Sequence, residues 1–287
     1  IHLVPGYPAL AILGTTATAE QIAETRAALG LDRPLHEQFV GFMTRYLQGD
    51  LGRSIISRRP VIEEIALRFP HTAMLALGGM AIACLLGIPL GVVAASRRGS
   101  LTDLVALIVS TLGIAAPVFW VGLLLSLVFA TRLGWFPSIG AGRADDLVSM
   151  LRALVLPSLT LGIAGLALIA RMTRSCMLDV LAEDYVRTAR AKGLAERLVI
   201  YKHALRNAAI PVVTVVALNV GYLMGGAVLV EMIFARPGLG YLMVQAILAR
   251  DYPVVQGLTF FVACAFILVN LVSDLVYAWL DPRIHYR

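Results

Sequence analysis

Five runs without Asp, Glu, Lys or Arg alternate with charged stretches along this chain: Phe69 to Ser96, Leu104 to Thr131, Ala153 to Ala170, Asn207 to Val230 and Tyr252 to Ser273. They hold 28, 28, 18, 24 and 22 residues, and a helix needs roughly 20 to cross about 30 Å of hydrocarbon. All five are predicted to span a membrane. The shortest can extend through Arg171, whose long side chain reaches the interface from a helix end. Pro89, Pro117, Pro157 and Pro211 each remove a backbone donor inside a run, so kinks or helix starts are expected there. Gly87 with Gly91, and Gly221 with Gly225, are spaced four apart, the interval at which small residues let helices approach in lipid.

Between the third and fourth runs lies the longest charged stretch, Glu183 to Pro211, which reads as two short helices broken at Gly193. The first has acids at its start (Glu183, Asp184), bases toward its end (Arg187, Arg190, Lys192) and a glycine just past it, the order the helix dipole favours. In the second, Leu194, Leu198, Tyr201 and Leu205 recur at i, i+4, i+7 and i+11, predicting an apolar face, with Glu196, Arg197, Lys202, His203 and Arg206 off it. Such a piece can lie on a membrane surface or on a protein partner.

Ahead of the first run, residues 1 to 70 carry seven basic and seven acidic residues. Thr18 to Leu29 is predicted as a helix capped by Thr18 with Gln21, Pro34 to Leu47 as a second, and a third begins at Pro60. Between the fourth and fifth runs, Glu231 to Tyr252 is too polar to cross and too apolar to be freely solvated, which predicts a re-entrant or interfacial helix pair.

Composition agrees with a membrane protein: 59% hydrophobic and 15% charged residues, with a mean hydropathy of +0.82. The net charge of +6 follows from topology before any nucleic acid is invoked. Loops 97 to 103, 171 to 206 and 281 to 287 hold 12 Lys and Arg against 5 in loops 132 to 152 and 231 to 251, which places the first set, with the C-terminus, in the cytoplasm. The predicted divisions are an external segment (1 to 70), a transmembrane domain (71 to 280) containing a cytoplasmic loop (179 to 206), and a cytoplasmic tail (281 to 287). Pro117, Phe119, Trp120 and Asn219 are candidates for lining a translocation path. No intramembrane pair of carboxylates of the kind that couples proton or sodium carriers is seen. Neither a phosphate-cradling GxxxxGK[ST] nor HExxH, CxxC or GxSxG occurs, so no catalytic or metal-ligating residue is nominated. ATP, if it drives transport, must be bound by another subunit. Cys84, Cys176 and Cys264 show no paired spacing.

The tract DYVRTARAKGL, followed by HALRNA and IPVVT, resembles the cytoplasmic loop of inner-membrane permease subunits of bacterial ABC importers, and in particular the B-type subunits of the peptide, glutathione and nickel branch. GDLGRSIISRRPV, MTRSCMLDVLAEDY, FARPGLG, RDYPVVQG and DPRI agree, so the similarity covers nearly the whole chain. Arg187, Thr188 and Ala189 stand where the wider pattern has Glu-Ala-Ala, and His203 and Arg206 also depart from it, as in the peptide branch. The resemblance implies an all-α, multi-span helical bundle of type I permease architecture, five spans here with a sixth expected ahead of Ile1; a removed signal peptide is the alternative. It implies a second, similar permease subunit, two ATPase subunits carrying ATP and Mg, an external substrate-binding protein, and cargo such as di- or oligopeptides, glutathione or a nickel chelate. Asp184, Tyr185, Arg187, Thr188, Ala189, Arg190, Ala191, Lys192 and Gly193 become the expected ATPase-coupling residues. An ATP-independent secondary carrier is the rival from another class.

Overall fold

A computed structural model describes Thr18, Glu20 and residues 34–280. Apart from Thr18 and Glu20, the predicted helix Thr18 to Leu29 lies outside the described residues, as does the tail 281–287. In chain order the helices are α1 (Leu35–Leu47), α2 (Val61–Ser96), α3 (Leu101–Ala115), α4 (Val118–Leu125, continued by a wide i→i+5 segment, Ser126–Arg132), α5 (Leu147–Leu181), α6 (Asp184–Ala191), α7 (Glu196–Leu198, continued by a second wide segment, Val199–Ala204), α8 (Leu205–Ile233), α9 (Leu239–Leu248) and α10 (Tyr252–Leu280). The architecture is all-α; the described β-pairing is an isolated bridge, Arg53 with Pro60.

By length and composition α2, α5 and α10 can each cross a membrane, and α3 with α4 makes a further span if the pair is counted as one. The predicted run Asn207 to Val230 lies inside the 29-residue α8. Leu104 to Thr131 is not one straight span: it breaks at Ala116 and Pro117 and turns through 106°. Pro117 starts α4 because its fixed φ suits a first helical turn and its missing N–H removes the bond that would continue α3. Pro89, Pro157 and Pro211 stay within continuous helices.

The chain divides into two compact units. One gathers the described part of Ile1–Pro70 with Leu239–Cys264. Its core is Tyr46, Leu51, Val61, Ile65, Leu239, Ala246, Val254 and Leu258, with Tyr46 edge-on to Phe260 at 5.1 Å. Asp251 fixes a tight loop there: it accepts from the Ser54 hydroxyl and from the Ile55 N–H at 3.1 Å. The region predicted as a helix pair holds a single helix, α9, whose ten residues are too few to cross.

The other unit comprises His71–Gly238 with the described part of Ala265–Arg287. Here α2, α5 and α8 pack along their lengths around Leu75, Leu156, Leu161 and Leu223 toward one end, Ala83, Ile169 and Val212 in the middle, and Val92, Met177, Ala204 and Ala208 toward the other. Glycines close the α2–α5 seam. A side chain at Gly87 would meet the Leu166 carbonyl at 2.9 Å, and one at Gly91 the Ala170 carbonyl at 2.6 Å, so the backbones touch, as small residues permit in lipid. A side chain at Gly225 would meet nothing within 4 Å among the described residues.

Candidate functional site

The charged stretch folds as a short helix held between two long ones. Glu183 takes the N-cap position of α6 and Asp184 its first turn, where negative charge meets the helix's positive end. The C-terminus closes in a Schellman turn: Gly193 N–H donates to the Arg190 carbonyl at 2.9 Å and Leu194 N–H to the Ala189 carbonyl at 3.4 Å. Gly193 has φ +74°, the left-handed conformation that costs an L-residue about 1–2 kcal/mol, and a side chain there would meet nothing within 4 Å. The glycine is needed for its backbone, not for space.

Two of the eight residues of α6, Val186 and Ala189, are buried. They pack with Val199 and the partly buried Val180 and Leu181, so α6 rests on the end of α5 and on the wide segment that opens α8. Two polar ties add to this. Arg190 bridges Gly193 to hold Glu196 with both nitrogens, at 2.7 and 3.2 Å. That hydrogen-bonded pairing lowers the Glu196 pKa below its ordinary value and raises that of Arg190. Asn207, at the start of α8, donates from Nδ2 to the Tyr185 hydroxyl at 2.7 Å. The opposite face carries Asp184, Tyr185, Arg187, Thr188, Arg190, Ala191 and Lys192 in solvent. Asp184 pairs loosely with Arg187 at 3.4 Å, and the Thr188 hydroxyl donates to the Asp184 carbonyl at 2.9 Å. The nine predicted coupling residues thus form one knob in which Ala189 is an anchor beneath the surface.

The apolar stripe predicted after Gly193 is presented outward at its first three positions, and its fourth, Leu205, packs against the buried cluster of Val92, Met177 and Ala208. Leu194, Leu198 and Tyr201 are exposed, Tyr201 by 54%, whereas Val199 and Ala204 are fully buried. Val199–Ala204 follows i→i+5 turns, so the buried pair Val199 and Ala204 is not marked by a count made at 3.6 residues per turn.

The candidate pathway residues do not form one cluster. Phe119 and Trp120 are exposed by 49% and 51% just beyond the Pro117 break. Asn219 is enclosed, its Nδ2 directed at Gly165 and without a hydrogen-bond partner. Among the described residues this amide therefore donates no hydrogen bond.

A second charged site went unread. Glu231 and Arg236, at the end of α8 away from α6, are 0% and 1% exposed. Thr72 of α2 donates its hydroxyl to Glu231 Oε1 at 2.6 Å, Arg236 Nε donates to the His71 carbonyl at 3.4 Å, and Gly238 packs against the Glu231 carboxylate with no room for a side chain. Burial lowers the Arg236 pKa, and the Glu231 charge acts against that shift. The acid next to a span, followed by FARPGLG, was the available signal; its partners lie 159 and 165 residues away. Among the described residues no group of three His, Cys, Asp or Glu side chains could hold a metal ion.

A membrane bundle whose two central spans are joined by a docked polar helix is the form of a transport-system membrane subunit. The family model described as "Binding-protein-dependent transport system inner membrane component" matches residues 87–286, and its N-terminal companion matches 1–76. The chain is 48% identical over 287 residues to the glutathione transport system permease protein GsiC of Salmonella choleraesuis (strain SC-B67), and 45% to that of Escherichia coli (strain K12). Each match covers 100% of this chain and 92% of the relative. In fold it is similar to the inward-facing MetNI methionine ABC transporter, with a TM-score of 0.64 at 16% identity over 77% of this chain and 97% of that one. An amino acid ABC transporter crystallised with histidines gives a TM-score of 0.55 at 14% identity over 78% and 95%. The chain belongs to the binding-protein-dependent transport system inner membrane component family: it is a permease subunit of an ATP-driven ABC importer, of the peptide and nickel branch.

Proposed function

We propose that α6 is the element on which an ATPase subunit acts, and that its displacement opens and closes the passage. The observation that carries this reading is the two-sided anchoring: Val186 and Ala189 rest on α5 and on the segment entering α8, while the polar face from Asp184 to Lys192 stays in solvent. A push on that face is delivered to both spans, because Arg190–Glu196 and Asn207–Tyr185 leave α6 little independent freedom. Moving a two-state equilibrium from 1:99 to 99:1 takes about 5.5 kcal/mol. An exposed ion pair supplies about 0.2–1 kcal/mol, so the grip must involve the whole knob.

In this reading the importer holds a second permease subunit, two ATPase subunits that bind ATP and Mg, and an external binding protein that delivers cargo. ATP is hydrolysed on the partners, and this chain contributes half of the passage. The side bearing α6 and the C-terminus is cytoplasmic, as the 12 to 5 distribution of Lys and Arg indicates. The cargo is a short peptide. Glutathione is the first to test, since relatives at 45–48% identity carry that name.

Cysteine cross-linking tests the docking: in the assembled importer, Arg187→Cys should link to the ATPase and Leu151→Cys, on the opposite end of α5, should not. Absence of any link from positions 184, 187, 188 and 191 removes the reading. The cargo is identified separately, by mass spectrometry of the ligand retained on the cognate binding protein.

A further inference from the structure

A shallow, open groove lies between α2, α3 and α5, close to the loop that joins α2 to α3. Its floor is Leu90, Gly91, Ala94, Ala106 and Leu107. Ser110 also lines it, but its hydroxyl donates to the Ala106 carbonyl at 2.7 Å, so the floor presents apolar surface. Arg171 and Arg174 of α5 complete the lining.

The two arginines are in different states. Arg174 is held by Asp103 through Nε at 2.6 Å and Nη2 at 2.8 Å, and the Gly99 N–H donates to the same carboxylate at 3.0 Å. This clasp closes one end of the groove and neutralises one guanidinium. Arg171 lies one turn farther into the membrane, directly after the uncharged run that ends at Ala170; it is exposed, and its guanidinium has no ion pair among the described residues. Arg97 and Arg98, on the loop whose Gly99 N–H donates to the Asp103 carboxylate, are likewise exposed, and the charge of Arg98 acts on that same carboxylate. One guanidinium without an ion pair, that of Arg171, therefore lines an apolar cleft at the end of an uncharged run, with Arg97 and Arg98 on the adjoining loop.

That combination selects its ligand. A soluble anion would satisfy Arg171 and leave the floor bare, and a zwitterionic lipid would bring an ammonium group toward three cations. An anionic phospholipid meets both demands, with its phosphate on Arg171 and part of an acyl chain along Leu90, Ala94 and Leu107. We propose that this groove is a binding site for an anionic phospholipid of the adjacent leaflet. The leaflet's identity as cytoplasmic rests on the orientation above; the site itself does not.

Native mass spectrometry of the assembled, delipidated importer, titrated with phosphatidylglycerol or phosphatidylcholine, tests it. The wild type should retain phosphatidylglycerol in preference. Arg171→Gln should weaken that binding about fivefold, the worth of one basic residue near a membrane surface, while Arg171→Lys keeps most of it. Leu107→Trp, which fills the floor without touching a charge, should weaken it as well, and Arg143→Gln, in an exposed loop elsewhere, should not. Equal retention of the two lipids by the wild type overturns the site, as does wild-type binding by both Arg171→Gln and Leu107→Trp. Displacement of the lipid by excess inorganic phosphate would reassign Arg171 to a soluble anion and equally overturn it. If Arg171→Gln does not assemble, the Lys and Trp variants decide.

Discussion

At one end of α8, Glu231 and Arg236 are withdrawn from solvent and tied to α2 through Thr72 and the His71 carbonyl. At the other end, α6 exposes its charges and hides only Val186 and Ala189. The two sites draw on the same residue types within one helical unit and use them oppositely. Buried charges are intolerant: each needs its partner in place, because an unpaired ion in a low dielectric is strongly disfavoured. Exposed charges are individually weak, and the geometry of α6 comes instead from two small apolar side chains and a glycine backbone. The first arrangement suits a part that must keep one shape. The second suits a surface that meets another protein, since its outward residues stay available.

Mutations can break or sharpen this contrast. The largest effect is expected for Glu231→Ala, which leaves Arg236 buried without its carboxylate and Thr72 without its acceptor; a loss of about 3–5 kcal/mol should lower the melting temperature of the detergent-solubilised importer. A wild-type melting curve would show that burial does not make this pair indispensable. Ala189→Leu comes next, overpacking the Val186–Val199 cluster by about 1–3 kcal/mol. Uptake and transport-linked ATP hydrolysis should fall while membrane insertion persists, whereas Thr188→Leu, on the exposed face, should leave stability unchanged. Equal stability losses at positions 188 and 189 would erase the distinction between anchor and surface. Gly193→Ala should cost about 1–2 kcal/mol locally through its positive φ, with Gly193→Asn milder because asparagine tolerates that region better; hydrogen exchange across residues 189–196 reads this directly. The smallest change is expected for Glu196→Gln, about 0.2–1 kcal/mol. Arg190 lowers the Glu196 pKa, so the tie is present above the ordinary glutamate value and is lost as pH falls through the depressed one. Wild-type exchange protection at Arg190 should then drop in acid, and that of the Gln variant should not change with pH.

How far these features could be read from the chain depended on how local their causes are. The uncharged runs are set by composition and survive as helices, and the α6 stop at Gly193 follows from a glycine after a basic turn. Gly87 and Gly91 could be read as a packing pair from their spacing; Gly225, at the same spacing from its neighbour, meets nothing among the described residues, because spacing does not say which helix lies opposite. Pro117 announced a break and not a 106° turn, since a missing donor fixes where a helix ends but not where the next one points. The stripe through Leu198 and Tyr201 was legible as an apolar face and is presented outward, whereas the burial of Val199 and Ala204 was not legible, because Val199–Ala204 winds at a different period. Glu231 was visible as an acid beside a span, yet its pairing with Thr72 joins residues 159 apart and no local pattern encodes it.

The seam at Gly87 and Gly91 bears on how far a nudge can travel. With carbonyls of α5 pressed on α2 at these two glycines, no pliant side chain lies between the two rods at that level to absorb a tilt. They are obliged to swing as one beam, and the 35 residues of α5 make that beam about 50 Å long. On that geometry a shift of an ångström or two at its foot, where α6 is seated, is expected to reappear at the far tip, which distance measurements between labels at the two ends of α5 would check.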